Sequence, residues 1–207
     1  MSIVKLNNQG VKNATAFGSI TGLGSMTFIK KLTASSSATL SFVDGSNGVV
    51  LDDTYKEYLF TFNNIHPSAQ GFFTFNLSTD SGSNYNVTKT STFFYADHNE
   101  SDSEALLTYR TGEDLANSTA FQSLCSGDTM GLENDENFAG TLHLFNPSST
   151  TFSKHFIARS IFNSQANFLF DSYIAGYGNT TSAVDAIQFK MDTGNIDAGD
   201  ICLYGIA

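Results

Sequence analysis

Tryptophan is missing from these 207 residues, proline and cysteine occur twice each, and only 14% of the residues carry a charge. Each shortage excludes something. Lys, Arg and Glu normally solvate the outer face of a helix, so their scarcity argues against a helical bundle. Ten Lys and Arg stand against 20 Asp and Glu, a formal charge of −10. Duplex binding runs on cations that neutralise phosphates, so this balance argues against a nucleic-acid partner. It equally disfavours adsorption to an anionic membrane. No apolar run approaches the roughly 20 residues that cross a bilayer, so no membrane insertion is expected. The first residues, MSIVKLNNQGVKNATAFGS, lack the apolar core of a secretory signal, and the expectation is synthesis and folding in a cytoplasm. In such a reducing compartment Cys125 and Cys202 are expected to remain thiols. Cys202 sits in an apolar run and reads as a small buried hydrophobe, whereas Cys125 lies in a Ser/Gly turn.

What is present is aromatic and turn-forming. The chain has 19 Phe, 8 Tyr and 17 Gly. Phe, Tyr and Thr suit a pleated, half-buried surface, and Gly, Asn, Asp and Ser suit reversals. Strand patterns recur at 26–32, 38–42, 55–65, 70–77, 85–95, 105–109, 138–145, 150–162 and 167–175, separated by turn clusters. His66-Pro67 is read as stopping the third of these. The stretch 113–124 is read as a short helical turn or an irregular segment. The last 25 residues, AVDAIQFKMDTGNIDAGDICLYGIA, read as two apolar runs around a turn, a hairpin that closes the fold. Roughly ten or eleven regularly spaced strands without an internal repeat predict an all-β chain. The expected architecture is a jelly-roll-like antiparallel β-sandwich over 25–207, preceded by an irregular N-terminal arm over 1–24. That arm carries isolated apolar residues, Val4, Leu6, Val11, Phe17 and Ile20. It reads either as a loose wrap over the domain or as an attachment segment that orders on a partner.

Catalytic templates fail one after another. There is no Gly-x-Ser-x-Gly elbow and no phosphate-cradling loop. His66, His98, His143 and His155 lack the spacing of zinc ligands, although His143 and His155 could approach each other across one turn. Nothing singles out two carboxylates as a glycosidase pair. Asp97, Glu100, Asp102 and Glu104 could supply oxygen ligands to Ca²⁺, against the plainer reading of solvated carboxylates. No other cofactor is suggested. Tyr95, Tyr109, Tyr173 and Tyr177, placed at strand ends or loops, are the candidate binding surface. Their rings could stack on a sugar or a partner protein, or simply pack at the sandwich rim.

Four segments carry a resemblance: LDDTYKEY at 51–58, STDSGSNY at 78–85, LFNPSST at 144–150, and the closing Gly194-Asn195-Ile196, Gly199 and Leu203-Tyr204-Gly205-Ile206. As a set they resemble small virion structural proteins of tailed bacteriophages that infect marine bacteria, over a region from about Lys31 to the C-terminus. The resemblance implies a tail-fibre-like or decoration-like component without catalytic residues, made in the bacterial host cytoplasm and residing in the virion. Its partners would be copies of itself, for instance as a trimer, and other virion proteins. The alternative is a carbohydrate-binding adhesin of the phage tail that recognises a host surface glycan. An enzyme such as a glycan depolymerase is the third reading.

Overall fold

Residues 154–163 alternate buried and exposed at every position, with Phe156, Ala158, Ser160 and Phe162 inward and His155, Ile157, Arg159 and Ile161 outward. A period of two is the signature of a strand with one packed face, and it governs most of this chain. The computed structural model describes residues 25–207. Among them twelve strands follow one another: β1 (Met26–Thr33), β2 (Leu40–Val43), β3 (Glu57–Pro67), β4 (Phe73–Ser78), β5 (Lys89–Asn99), β6 (Ala105–Tyr109), β7 (Gln122–Ser123), β8 (Phe138–Phe145), β9 (Lys154–Asn163), β10 (Phe168–Gly178), β11 (Ala186–Met191) and β12 (Ile196–Ile206). They form two antiparallel sheets, one of eight strands in the order β1-β12-β3-β8-β9-β10-β5-β6 and one of four in the order β2-β11-β4-β7. The chain is an all-β antiparallel sandwich.

The two sheets meet over a core built mainly from phenylalanine. Phe189 of β11 lies among Phe42, Phe60, Phe62, Phe73 and Phe75, with ring centroids 5.2–6.4 Å away. Most of these contacts are edge-to-face or tilted, the geometry that ring quadrupoles favour. Phenyl rings bring no N–H or O–H that would need a partner, so a core without Trp can close completely.

Strands β1, β12, β3 and β8 face β2, β11, β4 and β7, and two hairpins are added to this frame. β5–β6 follows β4 and β9–β10 follows β8, and together they lengthen the large sheet by four strands. The segment 110–137 lies across the inner face of this extension. Ser91 donates to Gln122 Oε1, Ser160 donates to the Leu124 carbonyl, and Leu124, Cys125 and Met130 are fully buried there. Nothing equivalent covers the outer face of the extension among the described residues.

Several sequence expectations change. The closing stretch is no hairpin: β11 pairs with β2 and β4 in the small sheet, β12 with β1 and β3 in the large one. Sheets lie about 10 Å apart, and the four-residue link 192–195 can span that when extended. Alternation identifies a strand but not its neighbour. β3 continues through His66-Pro67, because Pro67 lies beyond Ile65↔Phe138, the last partner on the β8 side, where no ladder bond is lost. β5 begins at Lys89 rather than Tyr85, and β10 runs on through Gly176, Tyr177 and Gly178. The segment 113–124 is irregular apart from the short β7. Cys202 stands on the outer face of the large sheet and is only half-buried, whereas Cys125 is the buried thiol. Both are free. The arm with Val4, Leu6, Val11, Phe17 and Ile20 lies outside the described residues.

Candidate functional site: an open aromatic face

Cross-strand register turns the outer face of the large sheet into rows. One row runs Tyr109, Phe94, Tyr173, Arg159, Thr141, Thr61, Cys202, Lys31 across all eight strands. Within it Phe94 and Tyr173 stack in parallel with centroids 4.9 Å apart, and the Arg159 guanidinium lies 5.0 Å over the other side of the Tyr173 ring. Arg159 also forms a two-pronged bond to Asp171, Nε to Oδ1 at 3.0 Å and Nη2 to Oδ2 at 2.8 Å, and Tyr173 donates its hydroxyl to the same carboxylate at 3.1 Å. These bonds, the guanidinium first, hold the Asp171 carboxyl below its ordinary value. The next row, toward the first residues of β1, carries Ile157, Ala175 and Thr92 beside His143, Leu59, Tyr204 and Phe28.

Of the four tyrosines expected to form a binding surface, three stand on this face. Tyr173 is in mid-strand rather than at a loop, and both faces of its ring are already occupied. Tyr109, half-exposed at the end of β6, donates to Asp114 at 2.7 Å, which raises its own pKa. Tyr177 lies beside His155. Tyr95 is a correction: it points into the sandwich, is 7% exposed, and packs edge-on against Phe170. Tyr95 belongs to the inward set of β5 with Ser91, Phe93 and Asp97, so alternation alone separates it from Tyr109 and Phe94.

The acidic loop does not converge on a point. Asp97 turns inward from β5 and burial raises its pKa, while Asp102 caps back on His98 at 3.2 Å. Among the described residues no three His, Cys, Asp or Glu side chains are grouped as metal ligands would be. His143 and His155 sit on adjacent strands of the outer face but are engaged separately, His143 with Glu57 and His155 with Tyr177. A groove of about 410 Å³ opens between Phe72, Glu113, Phe121, Lys190 and Asp192. Its charged groups are already held: Lys190 over the Phe121 ring at 4.3 Å, Asp192 by the Phe72 amide at 2.7 Å, and Glu113 by Ser126 at 2.8 Å.

Two features were missed in the sequence. One is the buried Lys89, whose place in the inward set of β5 was visible but whose lack of an acidic partner among the described residues was not. The other is the outward apolar set of β9 and β10, Ile157, Ile161 and Leu169, each about half exposed in strands away from the sheet edge. The signal for these was present, since apolar residues occupy both faces of the β9 pattern. No protein-family model, curated protein or solved structure matches the chain.

Proposed function

We propose that this chain is a non-enzymatic structural component of a bacteriophage virion, placed on the tail or capsid surface. The observation that carries the reading is the open outer face of the eight-stranded sheet, broad, carrying exposed apolar side chains and with Arg159–Asp171 and Lys31–Asp200 as ion pairs within it. Exposed apolar side chains gathered on one face, with nothing packed over them among the described residues, mark a surface for assembly. The strand order supports the reading further. Without the two added hairpins, β1-β12-β3-β8 opposite β2-β11-β4-β7 is the winding of a jelly-roll, a frame used by capsid proteins. The segments at 51–58, 78–85, 144–150 and 194–206 add the resemblance to phage virion proteins. In this role residues 1–24 form the attachment arm, and neighbouring copies and other virion proteins are the partners.

Recognition of a host glycan is the second reading, favoured by Tyr109 and Tyr177 at the rim of the same face. It is weaker because Tyr173, the central ring, is already sandwiched between Phe94 and Arg159.

Mass spectrometry and labelled-antibody imaging of purified particles test the proposal. The expected result is many copies of the protein in each particle, with incorporation lost when residues 1–24 are deleted. Particles that lack the protein would overturn it.

A further inference from the structure

The large sheet's outer face has the area, charge and relief of an interface, and the remaining question is what it meets. Seven inter-strand gaps of about 4.8 Å and four to five outward rows about 6.8 Å apart give a face on the order of 850 Å². A standard specific interface removes roughly 800 Å² from each partner. Exposed apolar side chains run across it from Phe28 on β1, through Ile157 and Ile161 on β9 and Leu169 on β10, to Leu107 on β6.

Its charges decide the partner. The chain carries −10, yet Asp171 and Asp200 on this face are each neutralised in place by a cation. Arg159 binds Asp171, Lys31 binds Asp200 at 3.1 Å, and Glu57 meets His143. Nearly all the excess negative charge therefore lies elsewhere, and two copies repel each other least when they approach through this face.

The relief alternates projections and depressions. Ile157 stands beside Ala175, and Ile161 beside Ala139, so each projecting side chain borders a shallow depression floored by a small one. A two-fold axis brings the same patch against itself, and the projections of one copy can enter the depressions of the other. Twisted sheets pack in this way at about −30° with interdigitating side chains.

We infer that the outer face of the eight-stranded sheet is the contact between two copies of this chain, which pair back to back across that face with β8, β9 and β10 at its centre. This rests on the assembly role proposed above and specifies its first step. Because a two-fold pair is isologous, the pair is a building block rather than a closed trimer.

Sedimentation equilibrium of the full chain tests the inference, with the double variant Ile157→Glu/Ile161→Glu and, as a control off the face, Leu132→Glu. All three positions are exposed, so the variants are expected to fold, with circular dichroism spectra like that of the unchanged chain. The unchanged chain and Leu132→Glu are expected to sediment at twice the monomer mass. The double variant should dimerise about 100-fold more weakly or worse, since it would bury unpaired carboxylates. A monomeric unchanged chain, or a double variant that pairs normally, overturns the inference. If deletion of residues 1–24 creates pairing absent from the full chain, the face is covered by that segment and the inference also fails. A monomer that is nonetheless present in purified particles sinks the pairing alone, whereas a dimer absent from particles sinks the virion role alone.

Discussion

Lys89 on the large sheet donates its ammonium to the carboxamide oxygen of Asn76 on the small sheet, and no carboxylate accompanies it among the described residues. The Val87 carbonyl at 2.9 Å is the other acceptor, and Lys89 is fully buried. Asn76 is fixed in turn. Its Nδ2 donates to Tyr85 O at 2.7 Å and Thr119 O at 3.0 Å, and its oxygen also receives the Leu77 amide. Burial brings the Lys89 pKa down to about 7.

A pH dependence follows. Between about pH 7 and the ordinary lysine value near 10.5, the native state has released this proton while the unfolded chain keeps it. The unfolded state then binds more protons, so stability rises with pH across that window, by at most about 1.4 kcal/mol per unit. Below about pH 7 both states are protonated and the contribution is flat. Urea denaturation at pH 6, 7, 8 and 9 should show this climb in the unchanged chain and lose it in Lys89→Met. Equal slopes in the two proteins would refute the assignment to Lys89.

Phe189 is the ring around which the Phe core is arranged, and it touches partners from both sheets. Phe189→Ala is expected to cost about 3–5 kcal/mol, because the rings on either side belong to separate sheets and cannot collapse together into the void. Phe152 is 68% exposed in the turn before β9, and Phe152→Ala should cost no more than about 0.5 kcal/mol. Chemical denaturation midpoints at matched m-values measure both. A loss below about 1.5 kcal/mol for Phe189→Ala would mean that the core can repack around it.

Much of this was legible in the sequence and some could not be. Strand existence followed from alternation, and the expected strand at 138–145 coincides with β8 residue for residue. What the pattern cannot carry is pairing, since Ala186 and Ile201 alternate identically whether their strands share a sheet or face each other. Nor can it say which apolar face is covered. Ile157 and Phe156 are equally apolar, and only the small sheet and the segment 110–137 over one side distinguish them, Phe156 packing edge-on against Phe75 of β4. Tyr95 and Tyr109 differ in exposure for the same reason, a matter of parity along strands whose inward phase depends on their neighbours.

The two thiols should differ in reactivity. Cys125 is completely buried, and desolvation pushes its pKa up to about 12, so it has almost no thiolate at neutral pH. Cys202 is half-buried on the outer face of β12. In the Ile157→Glu/Ile161→Glu background, which leaves the outer face free, a thiol-reactive dye should label one cysteine in the folded protein and two in denaturant, and Cys202→Ser should abolish labelling of the folded form. Two thiols reacting at equal rates in the folded state would contradict the burial of Cys125.

Gly199 sits where β12 shifts register against β3, at φ +118°. A Cβ there would meet the Asn64 carbonyl oxygen at 2.6 Å and the Ile65 Cα at 2.8 Å. Both obstacles are backbone of the neighbouring strand and cannot rotate away. Gly48 has a positive φ of +81° but open space around it. Gly48→Ala therefore isolates the conformational cost, about 1 kcal/mol, whereas Gly199→Ala adds displacement of the bulge and should cost about 2–4 kcal/mol. Thermal melts of the two variants separate the effects. If both lose the same stability, strand crowding at the β3–β12 bulge contributes nothing, and the glycine is required only for its φ.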